Sequence, residues 1–176
     1  MTLRLILMRH AKSSWDNKGD DHARPLNNRG RNAATTIGHW LAAKGYVPDI
    51  VLCSNAERTA QTWARVSAML AALPDVQFEQ SLYLATAEKL FQVLLQVQDA
   101  ETVLILAHNP GIAVLAAALA DRSPAHRRFD DYPTAATTVL YFATDSWENV
   151  TPGTGQVVEF VVPRDLGNFS KDKTKS

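Results

Sequence analysis

Residues 102–107 read TVLILA, a threonine followed by five apolar residues, bounded by Glu101 and His108. A run this short cannot cross a bilayer, which takes about 20 residues. Side chains of a strand alternate between its two faces, so a strand that is apolar on both must be covered on both. That requirement points to a sheet buried between helices. The next residues, Asn109-Pro110-Gly111, open a helix to about residue 120, with proline well placed in a first helical turn.

The rest of the chain alternates in the same way. Residues 2–8 form a short β-prone run ending in Arg9-His10, and residues 12–28 are polar and read as a loop. Ala33, Ile37, Trp40 and Leu41 recur at helical spacing, so a helix spans about 29–44, with Asn28 as its cap and Gly45 at its end. A strand at 49–54 (DIVLCS) leads into a helix over about 56–70. Residues 76–84 are extended, and 86–97 are helical with Leu90, Phe91, Leu94 and Val97 as the apolar stripe. Residues 137–143 and 156–162 are the last strands. The expected fold is α/β, a three-layer sandwich with a mostly parallel central sheet flanked by helices. One domain is expected over residues 1–163, with 164–176 as a polar, lysine-rich tail.

The whole chain carries 18 Lys+Arg and 18 Asp+Glu among 176 residues. A zero balance gives no electrostatic footprint for nucleic acid or an anionic membrane. It also hides an asymmetry: residues 1–31 hold seven basic and three acidic residues, a surplus suited to one small anion. Cys53 is the only cysteine, which excludes an internal disulfide and a multi-cysteine zinc site. The apolar residues Leu5 to Met8 are followed at once by Arg9, His10 and Lys12, too short a run for a signal or anchor. The expectation is a cytoplasmic protein with no nucleic-acid or membrane partner, its oligomeric state open, a monomer included.

In open α/β sheets, ligands sit beyond the carboxyl ends of the strands. Three such ends carry reactive groups: Arg9-His10, the segment Ser54-Asn55-Ala56-Glu57-Arg58, and His108-Asn109. If the three strands are parallel neighbours, two arginines and two histidines converge. Arginine offers planar paired donors that match phosphate oxygens. A histidine with one bare nitrogen can attack phosphorus, and a backbone carbonyl on the other nitrogen would set that tautomer. Nearby Arg charges would keep the imidazole neutral near pH 7. Arg58 falls in the first turn of its helix, whose positive end favours an anion. Taken alone, a strand-end histidine or a helix arginine is more often structural; the combined placement carries the argument.

The sequence resembles the histidine phosphatase superfamily, which includes phosphoglycerate mutases and acid phosphatases. The matching residues are Leu7-Met8-Arg9-His10-Ala11, Arg24-Pro25-Leu26-Asn27-Asn28-Arg29-Gly30, Ser54 through Thr62, and Ala107-His108-Asn109-Pro110. Residues 132–136 (YPTAA) look like its small phosphohistidine-phosphatase, SixA-like branch. The resemblance implies a phosphoglycerate mutase-like fold and a metal-independent phosphatase without a cofactor. It implies His10 as the phosphorylated nucleophile, Arg9 and Arg58 as the phosphate clamp, and His108 as a ligand of the phosphoryl group. Ser13 falls where mutase-like members place a phosphate-loop serine, and Asp16 where many have asparagine; with Asn109, these are the expected substrate contacts. Ala11 replaces a usual glycine, which the backbone accepts if φ is not positive.

A second departure bears on the substrate. Many members carry a glutamate acid in a Leu-x-Glu stretch, and the comparable residues here are Leu82-Tyr83-Leu84. An alkoxide leaving group needs a proton donor; an imidazole leaving from a phosphoramidate depends on one less. With no long insertion to form a lid, the expected substrate is a phosphohistidine-bearing protein. Glu79, Asp16, Asp20 or His22 donating a proton from a loop would instead suit a small-molecule phosphomonoesterase. A non-catalytic phosphate-binding domain is the third reading, disfavoured by the presence of His10. The partner is then a phosphorylated protein or a small phosphorylated molecule. A metal between His10 and His108 is disfavoured by the adjacent arginines and the lack of a third ligand.

Overall fold

The structure, a computed structural model, describes residues 2–16 and 19–167. Six strands form one mixed sheet: β1 (Leu3–Arg9), β2 (Ile50–Ser54), β3 (Asp75–Glu79), β4 (Thr102–Ala107), β5 (Thr137–Phe142) and β6 (Gln156–Val161), in the spatial order β3-β2-β4-β1-β5-β6. The first four run parallel to one another, and β5 and β6 are antiparallel additions at one side. Four helices flank it: α1 (Asn28–Lys44), α2 (Glu57–Ser67), α3 (Ala87–Leu95) and α4 (Gly111–Leu119).

The apolar run at 102–107 is β4, paired with β1 on one side and β2 on the other, and all six of its residues are buried. Its side chains divide by parity. Val103, Ile105 and Ala107 join the core that contains Leu90 and Leu94 of α3 and Ile112, Leu115 and Leu119 of α4. Leu104 and Leu106 join the core that contains Ile37, Trp40 and Leu41 of α1 and Trp63 and Val66 of α2. These two cores define the three layers. Truncating Leu104 to alanine would cost about 2–5 kcal/mol, the usual range for a buried leucine.

The element ends differ from expectation by a few residues. Asn27, not Asn28, caps α1: its backbone is extended and its side chain accepts from the Gly30 N–H at 2.8 Å. Gly45 ends α1 in the left-handed conformation (φ 72°), where a Cβ is disfavoured. The extended stretch expected over 76–84 stops at Glu79, because residues Gln80–Leu82 form a 3-10 turn that buries Leu82. The packed chain also passes the expected boundary at 163. Pro163–Leu166 form a 3-10 turn whose Leu166 is buried in the core beside α1. Residues 168–176 of the expected tail lie outside the described residues.

Candidate active site

Strand register brings three strand ends level. Arg9 pairs with Ala107, and Cys53 with Leu106. His10, His108 and Ser54 therefore emerge side by side at the carboxyl edge of β1, β4 and β2. The rings of His10 and His108 are 5.3 Å apart between centroids. Arg9 and Arg58 act electrostatically on both imidazoles, and Arg58 on Arg9. The four residues singled out from separate motifs share one cluster.

Backbone contacts lock His10 in place. Its N–H donates to the Ala107 carbonyl at 3.1 Å, and its carbonyl accepts from Ala135 at 3.0 Å. The next N–H, of Ala11, donates to Thr62 Oγ1 at 2.9 Å, and that hydroxyl donates to the Arg58 carbonyl at 2.7 Å. One threonine thus ties the turn after His10 to the first turn of α2. Ala11 is not among the positive-φ residues, so alanine meets no backbone penalty there. Gly30 approaches closely: a Cβ would lie 2.0 Å from the Lys12 carbonyl oxygen.

His10 Nδ1 lies 2.7 Å from the Ala11 carbonyl. A carbonyl only accepts, so Nδ1 carries the proton and Nε2 keeps its lone pair. Burial pushes the ring's pKa from 6.5 to about 3; His108, Arg9 and Arg58 add to the shift and the Ala11 bond opposes it. Expectation credited the arginines, but burial is the larger cause. Burial, followed by Arg58, also lowers His108 to about 3. Both rings are neutral at pH 7.

The arginines are anchored from one side. Arg9 Nη1 donates to the Tyr132 carbonyl at 3.2 Å. Arg58 Nη1 donates to the Asp21 carbonyl at 2.8 Å, and its Nη2 to the Asp21 carboxylate at 3.2 Å. Nε of Arg9, Nε of Arg58 and Nδ1 of His108 are buried without a hydrogen-bond partner in the described chain. Buried polar atoms are almost always paired, and the two arginine Nε–H donors suit phosphoryl oxygens.

The expected substrate contacts are placed differently from one another. Asn109 Nδ2 donates to the carbonyls of Asp131 and Tyr132 (3.2 and 2.9 Å), leaving its buried Oδ1 without a partner. Ser13 is buried, and its hydroxyl accepts from Arg24. Asp16 is exposed and lies outside the cluster's hydrogen bonds among the described residues. Cys53 is fully buried with its thiol pushed up to about 12, an inert core residue.

Two members of the cluster escaped the sequence reading. Asp21 accepts from Arg24 (3.1 Å), Arg58 and Tyr83, and its carboxyl is held at about 2, chiefly by the Tyr83 hydroxyl. Tyr83 packs edge-on against both His108 and His22, with centroids 5.4 and 4.8 Å away. The spacing of Asp21 three residues before Arg24 is the signal that could have flagged it. Among the loop groups weighed as proton donors, Asp20 is exposed and Glu79 accepts from Ser81. His22 alone joins this aromatic stack. Among the described residues, no group of three or more His, Cys, Asp or Glu is arranged to hold a metal, and no helix is long and apolar enough to cross a membrane.

The profile of the histidine phosphatase superfamily (branch 1) matches residues 5–83. The uncharacterized protein Rv1276c of Mycobacterium tuberculosis is 36% identical over 163 residues, covering 89% of this chain and all of its own length. Among solved structures, one described as a phosphohistidine phosphatase SixA from Nakamurella multipartitia superposes with a TM-score of 0.76 at 30% identity, covering 93% of this chain and 97% of its own. The protein histidine phosphatase SixA solved with tungstate has the same fold (TM-score 0.76, 22% identity, 93% and 99% covered). The chain belongs to the histidine phosphatase superfamily (branch 1), in its SixA-like group, and is of the phosphatase class.

Proposed function

We propose that this phosphatase works through a covalent phosphohistidine on His10, and that its substrate is a protein carrying phosphohistidine. The observation that carries the mechanism is the 2.7 Å bond from His10 Nδ1 to the Ala11 carbonyl, which leaves Nε2 as a neutral nucleophile. Nε2 attacks phosphorus as the bond to the leaving group breaks. Arg9, Arg58 and His108 hold the equatorial oxygens and stabilise the charge spread over them. Water then attacks phosphorus, the P–Nε2 bond breaks, phosphate carries away the oxygen of water, and Nε2 regains its lone pair.

The leaving group decides the substrate. Leu84 stands where a glutamate acid is common, and its side chain is exposed. The carboxylate bonded to Arg58 among the described residues, Asp21, is held ionised at pH 7. An imidazole leaving group depends less on a protein acid than an alkoxide does. The 30% identical relative carries the name of a phosphohistidine phosphatase by assignment, which supports the same class here. A small-molecule phosphomonoesterase is favoured by one observation, the position of His22 in the stack with Tyr83 and His108.

The test is hydrolysis of p-nitrophenyl phosphate by wild type and His10→Ala with a chelator present, together with trapping of an acid-labile phosphoenzyme. Loss of both activity and label in His10→Ala is expected; full activity in that variant defeats the mechanism. A phosphohistidine protein should be turned over far faster than an alkyl phosphate. Comparable rates would sink the substrate assignment while sparing the nucleophile.

A further inference from the structure

Ser54 is the last residue of β2 and has no exposed surface. Its hydroxyl oxygen accepts the Ala56 N–H at 3.3 Å and lies 2.7 Å from His108 Nε2. A hydroxyl has one proton and two lone pairs. The Ala56 N–H occupies one lone pair, which leaves two arrangements toward the imidazole. If Nε2–H donated to the oxygen, the serine proton would be buried with no acceptor among the described residues. If the serine donates to Nε2, every atom of the hydroxyl is satisfied, and the histidine proton moves to Nδ1. The second arrangement is the favourable one, because buried donors left unmade are expensive.

We propose that Ser54 is a positioning residue: its hydroxyl donates to His108 Nε2 and holds that ring as the Nδ1–H tautomer, so that it offers an N–H to a phosphoryl oxygen. The inference rests on the reading of His108 as a phosphoryl ligand. Nδ1 of His108 is the ring nitrogen without a partner in the described chain. With the proton elsewhere, Nδ1 would present a lone pair to an anion and repel it. In the ligand-free protein burial and Arg58 keep the ring neutral at pH 7, so there the tautomer sets which nitrogen carries the proton.

The two histidines then share a tautomer and use opposite ends of it. His10 hides its Nδ1–H in the Ala11 carbonyl and presents a bare Nε2 for attack. His108 hides its bare Nε2 on the Ser54 hydroxyl and presents its Nδ1–H for charge stabilisation. One second partner per ring, a carbonyl for one and a hydroxyl for the other, makes one a nucleophile and the other a donor.

The experiment is long-range 1H–15N correlation of the histidine rings in the ligand-free protein at pH 7, in wild type, Ser54→Ala and Ser54→Thr. Wild-type His108 should carry its proton on Nδ1. In Ser54→Ala that proton should shift toward Nε2, and kcat/KM should fall on the order of ten- to a hundredfold. This is less than the loss of a whole transition-state donor, which reaches about 10²–10³. The loss should fall mainly on kcat, since the donor acts on charge that develops in the transition state. Ser54→Thr keeps the hydroxyl and should restore the tautomer and most of the rate. An Nε2–H tautomer in wild type overturns the proposal, as does activity lost in Ser54→Ala with the tautomer unchanged. The wild-type spectrum decides the matter even if Ser54→Ala does not fold. An Nδ1–H His108 found alongside an active His10→Ala would leave the Ser54 assignment standing and remove the phosphohistidine mechanism instead.

Discussion

Arg58 is held by Asp21 through two different oxygens, the backbone carbonyl at Nη1 and the carboxylate at Nη2. The guanidinium of Arg58 is almost wholly buried, while the side chain of Asp21 is 44% exposed. A carboxylate from the loop before α1 thereby orients an arginine from α2 and leaves its Nε free. Asp21→Ala should loosen that orientation, and kcat/KM should fall on the order of tenfold, the scale of a lost positioning contact. Asp21→Asn keeps an oxygen for Nη2 and should lose less. Steady-state kinetics on p-nitrophenyl phosphate check this, and equal rates in wild type and Asp21→Ala would show that the backbone carbonyl suffices. The Asp21 carboxyl lies below its unfolded value, so its stabilising contribution is present above about pH 4 and disappears as pH falls toward 2.

The two site histidines should make the fold acid-sensitive. Both have folded-state pKa values near 3, against an ordinary 6.5. Between these values the unfolded chain binds protons that the folded one does not, so stability falls as pH drops from 6.5 toward 3. Each histidine contributes a slope of up to about 1.4 kcal/mol per pH unit in that window, the linkage limit for one proton. Urea titrations at pH 7 and pH 5 should show a lower midpoint at pH 5. In His10→Ala the difference should shrink; an unchanged difference would place the missing protons elsewhere.

His22 should distinguish the two substrate classes. Its Nε2 lies 2.7 Å from Asn55 Oδ1, and its ring packs on Tyr83. If it supplies the proton to an alkoxide, His22→Gln should slow alkyl phosphate hydrolysis about a hundredfold or more, the range of general acid catalysis. Phosphoramidate hydrolysis should change by about twofold or less, because the departing nitrogen is readily protonated. Parallel losses on both substrates would remove His22 as a proton donor.

Gly30→Ala should strain the site from a distance. A methyl there would sit 2.0 Å from the Lys12 carbonyl oxygen, and backbone cannot yield as a side-chain tip can. A destabilisation of about 1–3 kcal/mol is expected from overpacking. The turn after His10 moves with Lys12, so kcat should fall as well. Thermal melts and kinetics on the same preparation test the pairing of the two effects.

Much of this was written in local pattern. The parity of residues 102–107 demands cover on both faces, and β4 has it from two separate cores. Arg9, His10, Arg58 and His108 were readable because each lies at or just past the end of a strand or in the first turn of a helix, where an α/β sheet places its ligand. Asp21 and Tyr83 were not readable in this way. They reach Arg58 from 37 residues upstream and from the residue that follows the 3-10 turn beyond β3, and no spacing rule joins either of them to Arg58. The cap of α1 was misplaced by one residue because two successive asparagines offer the same chemistry, and only backbone geometry chooses between them.

The sequence by itself determined the layers, the strand ends and the chemical types gathered there, because side-chain periodicity and residue chemistry are local properties. Tertiary structure alone decided which atom of each group faces the reaction. The Ala11 carbonyl exposes one nitrogen of His10, and the Ser54 hydroxyl contacts one nitrogen of His108. Asp21 and Tyr132 each engage one side of an arginine. Those choices depend on hydrogen-bond partners within about 3 Å, and in three of the four cases the partner comes from a distant part of the chain.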